Sequence, residues 1–214
     1  MMKQKLCVKK EAVMRQQKGF SLIELMIVTG VILIITGIAM PVYKTAMDTI
    51  HLQEAGRNYA GMLQRARLTA VTSNTYNAVG IQFYSGSPDI MAYVDTAGNN
   101  PPAAYVAPEP MTLLGSGVVW NQPGAPATND LLGKVFPNNG GSTLGYPPIF
   151  GSRGMPCAPV AVTGGTVCNT QGGNVAYATY FQSPLGKWEA VSVNPVGRIQ
   201  VWTYDPNASV WSQL

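Results

Sequence analysis

Charge and histidine are scarce in this chain. Only 11% of the 214 residues are charged, and His51 is the sole histidine. No serine of the C-terminal two thirds has an accompanying histidine there, which excludes the familiar Ser-His-Asp hydrolase arrangement. His51 reads as a helix-surface or packing residue. Asp89, Asp95, Glu109, Asp130, Glu189 and Asp205 are scattered singly, so the sequence sets no carboxylate pair. No glycine-rich stretch ends in Gly-Lys-Ser/Thr, so a phosphate-cradling P-loop is missing. The three cysteines include one pair and have no histidine nearby, which argues against zinc. No catalytic residue, metal or cofactor is expected.

The chain does hold one long apolar run, and it follows a basic segment. From Leu25 to Met40 no residue is charged, and positions 20–40 would span roughly 31 Å as a helix, close to a bilayer's hydrocarbon thickness. Lys3, Lys5, Lys9, Lys10, Arg15 and Lys18 all precede the run. The positive-inside rule therefore places the N-terminus in the cytoplasm and the rest across the membrane. A cleaved secretory signal carries its small-residue cleavage site after the apolar stretch, and no convincing one follows Met40. The segment reads as an anchor, with any cut falling before it. One ionisable residue, Glu24, lies at the start of the run, where a carboxylate is disfavoured unless it has a partner.

The junction Lys18-Gly19-Phe20-Ser21-Leu22-Ile23-Glu24 resembles that of bacterial type IV prepilins and type II secretion pseudopilins. The resemblance implies a leader, residues 1–19, removed by prepilin peptidase between Gly19 and Phe20. It also implies methylation of the new N-terminal Phe20 and a role for Glu24 in assembly. The freed ammonium of Phe20, from the same or a neighbouring subunit, would pair with Glu24. The leader holds six of the fourteen bases and one of the ten acids, so its removal leaves eight bases and nine acids. The basic balance of the whole chain belongs to the leader and is no evidence for a nucleic-acid-binding surface. Cys7 would stay in the reducing cytoplasm. Cys157 and Cys168 would lie in the periplasm, where a disulfide is permitted, with two free thiols as the alternative.

Beyond the run, Pro41 suggests a kink and not a stop. Leu52, Ala55, Tyr59, Met62, Leu63, Ala66 and Ala70 recur at helical spacing, while Glu54, Arg57, Gln64, Arg65 and Arg67 take the remaining surface. Asn74 marks the helix end, so an amphipathic continuation is expected over 41–75. From residue 76 to 214 the pattern changes to short aromatic and β-branched runs punctuated by Gly, Pro and Asn. Strands are expected at Ala78–Tyr84, Ile90–Asp95, Val118–Asn121, Ala176–Gln182, Trp188–Asn194 and Arg198–Tyr204, with Val210 and Trp211 completing a C-terminal antiparallel meander. Residues 97–148 read as long loops. The fold class is α+β: a long N-terminal helix packed on an antiparallel β-sheet head.

Within the pilin-like proteins, two stretches resemble the GspH/FimT branch of minor subunits. They are Ile149-Phe150-Gly151-Ser152-Arg153-Gly154 and Val191-Ser192-Val193-Asn194-Pro195-Val196-Gly197-Arg198-Ile199. That resemblance implies a minor pilin or pseudopilin of a type IV pilus or type II secretion pseudopilus. It would sit in the bacterial inner membrane with its head in the periplasm, before entering the filament. Its partners would be other pilin or pseudopilin subunits, prepilin peptidase, the inner-membrane assembly platform and the membrane itself. Some FimT-like members bind DNA through a Gly-Arg-x-Arg turn. Here the turn is Gly197-Arg198-Ile199-Gln200, without the second arginine, so any DNA contact would fall to Arg198 with Arg153 and Lys187. A filament-tip adhesin is a further alternative, with Trp120, Trp188, Trp202, Trp211, Tyr177, Tyr180 and Tyr204 as stacking surfaces.

Overall fold

A computed structural model of the chain describes residues 20–98, 104–120, 125–126, 147–162, 165–169 and 175–214. The leader, Gly19 within it, and most of the stretch between Asn121 and Tyr146 lie outside the described residues. The chain divides into two compact units, Met1–Val42 and Tyr43–Leu214.

One helix, α1 (Leu22–Ser73), runs through both units. In the first unit its apolar side chains are exposed throughout, and the helix is long and apolar enough to cross a membrane. The threonines of this stretch are locally satisfied. Thr29 and Thr36 donate their hydroxyls to the carbonyls of Leu25 and Ile32, at 3.0 and 2.8 Å. Pro41 lies inside the helix, which continues past it.

In the second unit one face of α1 is buried: Leu52, Ala55, Tyr59, Met62, Leu63, Ala66 and Ala70, as the spacing predicts, joined by Gly56 and Ala60. Glu54, Arg57, Gln64, Arg65 and Arg67 are exposed. The helix ends at Asn74, whose φ of 54° is left-handed, and the Thr75 amide reaches back to the Ala70 carbonyl at 3.2 Å. This is the Schellman closure, with asparagine in the position glycine usually takes.

Two antiparallel sheets supply the opposing surface. The first has the order β3 (Met111–Leu113), β2 (Ile90–Asp95), β1 (Asn77–Phe83), β5 (Ile149–Phe150). The second has the order β11 (Val210–Gln213), β10 (Ile199–Asp205), β9 (Trp188–Val193), β8 (Tyr177–Gln182), β4 (Val119–Trp120). A separate hairpin pairs β6 (Ala158–Val162) with β7 (Gly165–Asn169). The α+β fold and the C-terminal meander therefore stand as expected. β3 and the β6–β7 hairpin were not expected: three half-exposed residues carry no readable alternation, and the hairpin's glycines read as loop.

The helix face meets Val79, Ile90, Ala92 and Val94 of the first sheet and Tyr177, Phe181, Val191 and Val193 of the second in one core. Strand alternation sends Ala178, Tyr180, Trp188, Ala190, Trp202 and Trp211 to the opposite face of the second sheet, where they form a second buried cluster.

Candidate functional site

Phe20 and Glu24 are exposed, and α1 begins between them. The Leu25 amide donates to the Ser21 carbonyl at 3.1 Å, so Ser21 caps the helix and Glu24 is its third residue. Ser21-Leu22-Ile23-Glu24 thus has the residue pattern of a capping box. A carboxylate there also complements the positive end of the helix dipole. That local role is legible in the sequence only once the helix start is known. Glu24 therefore stands one helical turn from Phe20.

In the second unit the two GspH/FimT-like stretches come together on the helix. The turns Gly151–Met155 and Asn194–Arg198 share one geometry. The Gly154 amide donates to Gly151 O at 2.8 Å, and the Gly197 amide donates to Asn194 O at 2.8 Å. Each glycine is left-handed, with φ of 70° and 82°. Asn194 Oδ1 also accepts the amides of Val196 and Arg198, at 3.2 and 2.8 Å. The two turns touch: a Cβ on Gly197 would fall 2.5 Å from the Gly154 carbonyl oxygen. Arg67 of α1 seals the junction, its Nε donating to that same oxygen at 2.9 Å.

This junction gathers Arg153 and Arg198, both exposed, with Arg67, which reads in the sequence only as helix surface. Lys187 does not join them. It lies in the turn at the other end of β9, where its Nζ donates to Thr49 Oγ1 at 2.9 Å. Thr49 precedes Arg67 by eighteen helical residues, about 27 Å. Of the aromatics named as stacking surfaces, Tyr177, Tyr180, Trp188, Trp202 and Trp211 are buried, while Trp120 and Tyr204 are half-buried.

Cys157 and Cys168 form the disulfide, with Cα atoms 5.3 Å apart. Cys157 packs with Ala78 and Ile149, and its carbonyl accepts the buried Tyr177 hydroxyl. The bridge thus closes the base of the β6–β7 hairpin, Cys157 holds that base against both sheets, and Gly151 lies against the sulfurs. Closing so short a loop is worth about 3 kcal/mol in the chain-entropy model. Replacing both cysteines with serine should lower head stability by about 2–4 kcal/mol, measured by urea unfolding; an unchanged midpoint would remove the bridge from the stabilising contacts.

The buried carboxyl of Glu189 also went unread among the scattered acids. It is wholly inaccessible on β9, faces the helix with Val191 and Val193, and has no hydrogen-bond partner for either oxygen among the described residues. A Cβ on Gly56 would overlap it, so the mid-helix glycine and the buried acid are matched. Burial pushes its pKa up to about 8, against the opposing pull of the Arg57 charge. The usable signal was Gly56, an unfavourable residue inside an amphipathic helix.

A family profile described as the prokaryotic N-terminal methylation motif matches residues 14–40, the segment that contains Gly19, Phe20 and Glu24. The chain is 28% identical over 151 residues to the pilin-like protein PilA1 of Thermus thermophilus, covering 69% of this chain and 84% of that protein. The motif and the relative make this chain similar to type IV pilin-like proteins. The pilin family is one of structural subunits and not of enzymes, and it implies assembly with other pilin subunits. No solved structure matches this pilin-like chain.

Proposed function

We propose that this pilin-like protein is a minor subunit of a type IV pilus or type II secretion pseudopilus, matured by prepilin peptidase between Gly19 and Phe20. The observation that carries the reading is the exposed, uncharged stretch of α1 with a lone carboxylate one turn from Phe20. Before assembly, positions 20–40 anchor the chain in the inner membrane as a single pass, the leader in the cytoplasm and the head in the periplasm. On assembly the same apolar surface is buried against other subunits, and the Phe20 ammonium of a neighbour neutralises Glu24. A carboxylate left unpaired in hydrocarbon is disfavoured by about 2.5–3.5 kcal/mol at a helix centre and by less near its end, so pairing favours the assembled state.

Glu24→Ala should leave cleavage largely intact and reduce entry into sheared filaments at least tenfold. N-terminal sequencing of the membrane-held protein checks the cut, which should expose Phe20, and immunoblotting of filaments checks assembly. Unchanged incorporation would sink the pairing, and a different N-terminus would sink the cut site. Deleting the gene decides the machine. Lost secretion with intact pili marks a pseudopilin, and lost pili or DNA uptake with intact secretion marks a pilin.

A further inference from the structure

The head has a far end and a near end along α1. Arg67 marks the far end, where the Asn194–Arg198 turn docks. The near end lies about 27 Å back along the helix, around Thr49 and His51. Three turns meet there. Lys187 of the 183–187 turn reaches Thr49 Oγ1 at 2.9 Å. A Cβ on Gly115 would overlap the His51 carbonyl, which sets the 115–118 turn against the helix. Ser116 hydrogen-bonds to Asp89 of the 84–89 turn, and Gly117 lies against Pro184. Exposed apolar side chains crown this end: Leu185 in its turn, Phe83 and Tyr84 at the exit of β1, and Tyr43 and Ile50 on the helix. Phe83 stands edge-on to the half-buried Trp120, with ring centroids 5.2 Å apart, so the patch bridges both sheets.

The three turns and helix residues 43–51 carry Lys44, Lys187, Asp48, Asp89 and His51, so their charges nearly cancel. Charge therefore selects no partner here. Aromatic side chains beside lysine are the mixture found where a protein meets the headgroup layer of a bilayer. The chain itself brings that layer close. Its apolar run ends at Met40, nine helical residues before Thr49. Whatever angle the helix takes on leaving the bilayer, Thr49 stands no more than about 14 Å from the point of exit. The headgroup layer fills roughly 5–7 Å of that distance. β8 enters the 183–187 turn from the far end and β9 returns there, so Leu185 is the part of that hairpin nearest the anchor. A handful of exposed side chains is far fewer than the roughly 20–30 residues a side of a stable protein interface. A tethered surface needs less, because the anchor fixes its effective concentration at the bilayer.

We propose that the Phe83–Tyr84–Leu185 end of the head docks on the leaflet from which its own helix emerges, an inference that rests on reading positions 20–40 as a membrane anchor. The partner is a lipid surface, met by apolar and aromatic contact and not by charge. Entry into a filament lifts this end off the leaflet, so the contact belongs to the membrane-held subunit alone.

The test uses the full chain reconstituted in phosphatidylcholine vesicles. Cys7→Ser leaves only the disulfide pair, and Ser85→Cys at the near end or Val196→Cys at the far end then takes a fluorophore. Lipid carrying a nitroxide near its headgroup should quench the label at position 85 at least threefold more than the label at position 196. Adding Leu185→Asp and Tyr84→Ser should bring quenching at position 85 down to that at position 196, and high salt should leave the wild-type difference unchanged. Equal quenching at both positions, in a chain that resists carbonate extraction, would overturn the contact and leave the anchor standing. Release of the chain by carbonate would mean that the anchor reading has failed, and the contact falls with it. Quenching abolished by salt would give the contact to Lys44 and Lys187 and overturn apolar docking. Lost filament incorporation in the Leu185→Asp, Tyr84→Ser variant, with quenching at position 85 unchanged, would assign this end to a neighbouring subunit instead.

Discussion

Raising the pH from 5 to 9 should destabilise the folded head, and Glu189→Gln should remove most of that dependence. In the unfolded chain Glu189 loses its proton near 4.5, whereas in the folded head it keeps it to about 8. Between those values the native state holds one more proton than the unfolded state, so stability falls with rising pH at about 1.4 kcal/mol per unit. Across the window the loss is about 5 kcal/mol, all of it incurred by the time the folded carboxyl ionises. The packing explains why no local remedy exists. Glu189 is flanked across the sheet by Phe181 on β8 and Thr203 on β10, and Gly56 of the helix covers it. Thr203 Oγ1 is itself buried without a hydrogen bond among the described residues. The charge that eases ionisation is that of Arg57, and burial outweighs it. Urea unfolding of the detergent-solubilised protein at pH 5, 7 and 9, followed by tryptophan fluorescence, reads this directly. A flat wild-type profile would show that the carboxyl reaches water or a partner. The buried tyrosines 59 and 177, raised further above their ordinary value by burial, titrate outside this range.

The parts of the head that were legible in the sequence are those where one local rule decides. The helix face was readable because apolar residues at three- and four-residue spacing have only one side to bury, and each of the seven named positions is buried. The meander was readable because Ser183-Pro184-Leu185-Gly186 and Asn194-Pro195-Val196-Gly197 put proline second and glycine at the left-handed position. Glu189 is not readable from its own strand, because a strand buried on both faces shows no alternation to say that this acid points inward; only Gly56 on the facing helix hints at it. Arg67 was not readable either. Its partner is a backbone carbonyl 87 residues away, and no spacing rule reports that distance. The junction at Gly19 and Phe20 is the opposite case: its signal is local residue type, and the matching family profile covers it.

Gly197→Ala should strongly destabilise the head. Two costs add there. The residue's φ of 82° lies in the left-handed region, where an L side chain costs about 1–2 kcal/mol. The new methyl would also sit 2.5 Å from the Gly154 carbonyl oxygen and 3.2 Å from Arg67 Nε. The nearer neighbour is backbone and cannot swing aside, so the turns must separate and the Arg67 hydrogen bond must lengthen or break. A buried carbonyl that loses a charged donor forfeits a further 1–3 kcal/mol or so. The expected loss is therefore about 3–4 kcal/mol in urea unfolding. Gly186→Ala supplies the control. That glycine has a similar φ of 76° in the equivalent turn, but nothing stands within 4 Å of an added Cβ. It should lose only the conformational part, about 1–2 kcal/mol. Equal losses at the two sites would mean that the Gly154–Arg67 junction contributes nothing to holding the turns together. A larger loss at Gly197 means that the helix, the β5 turn and the β9–β10 turn are fastened at one point, which sets the positions of Arg153 and Arg198.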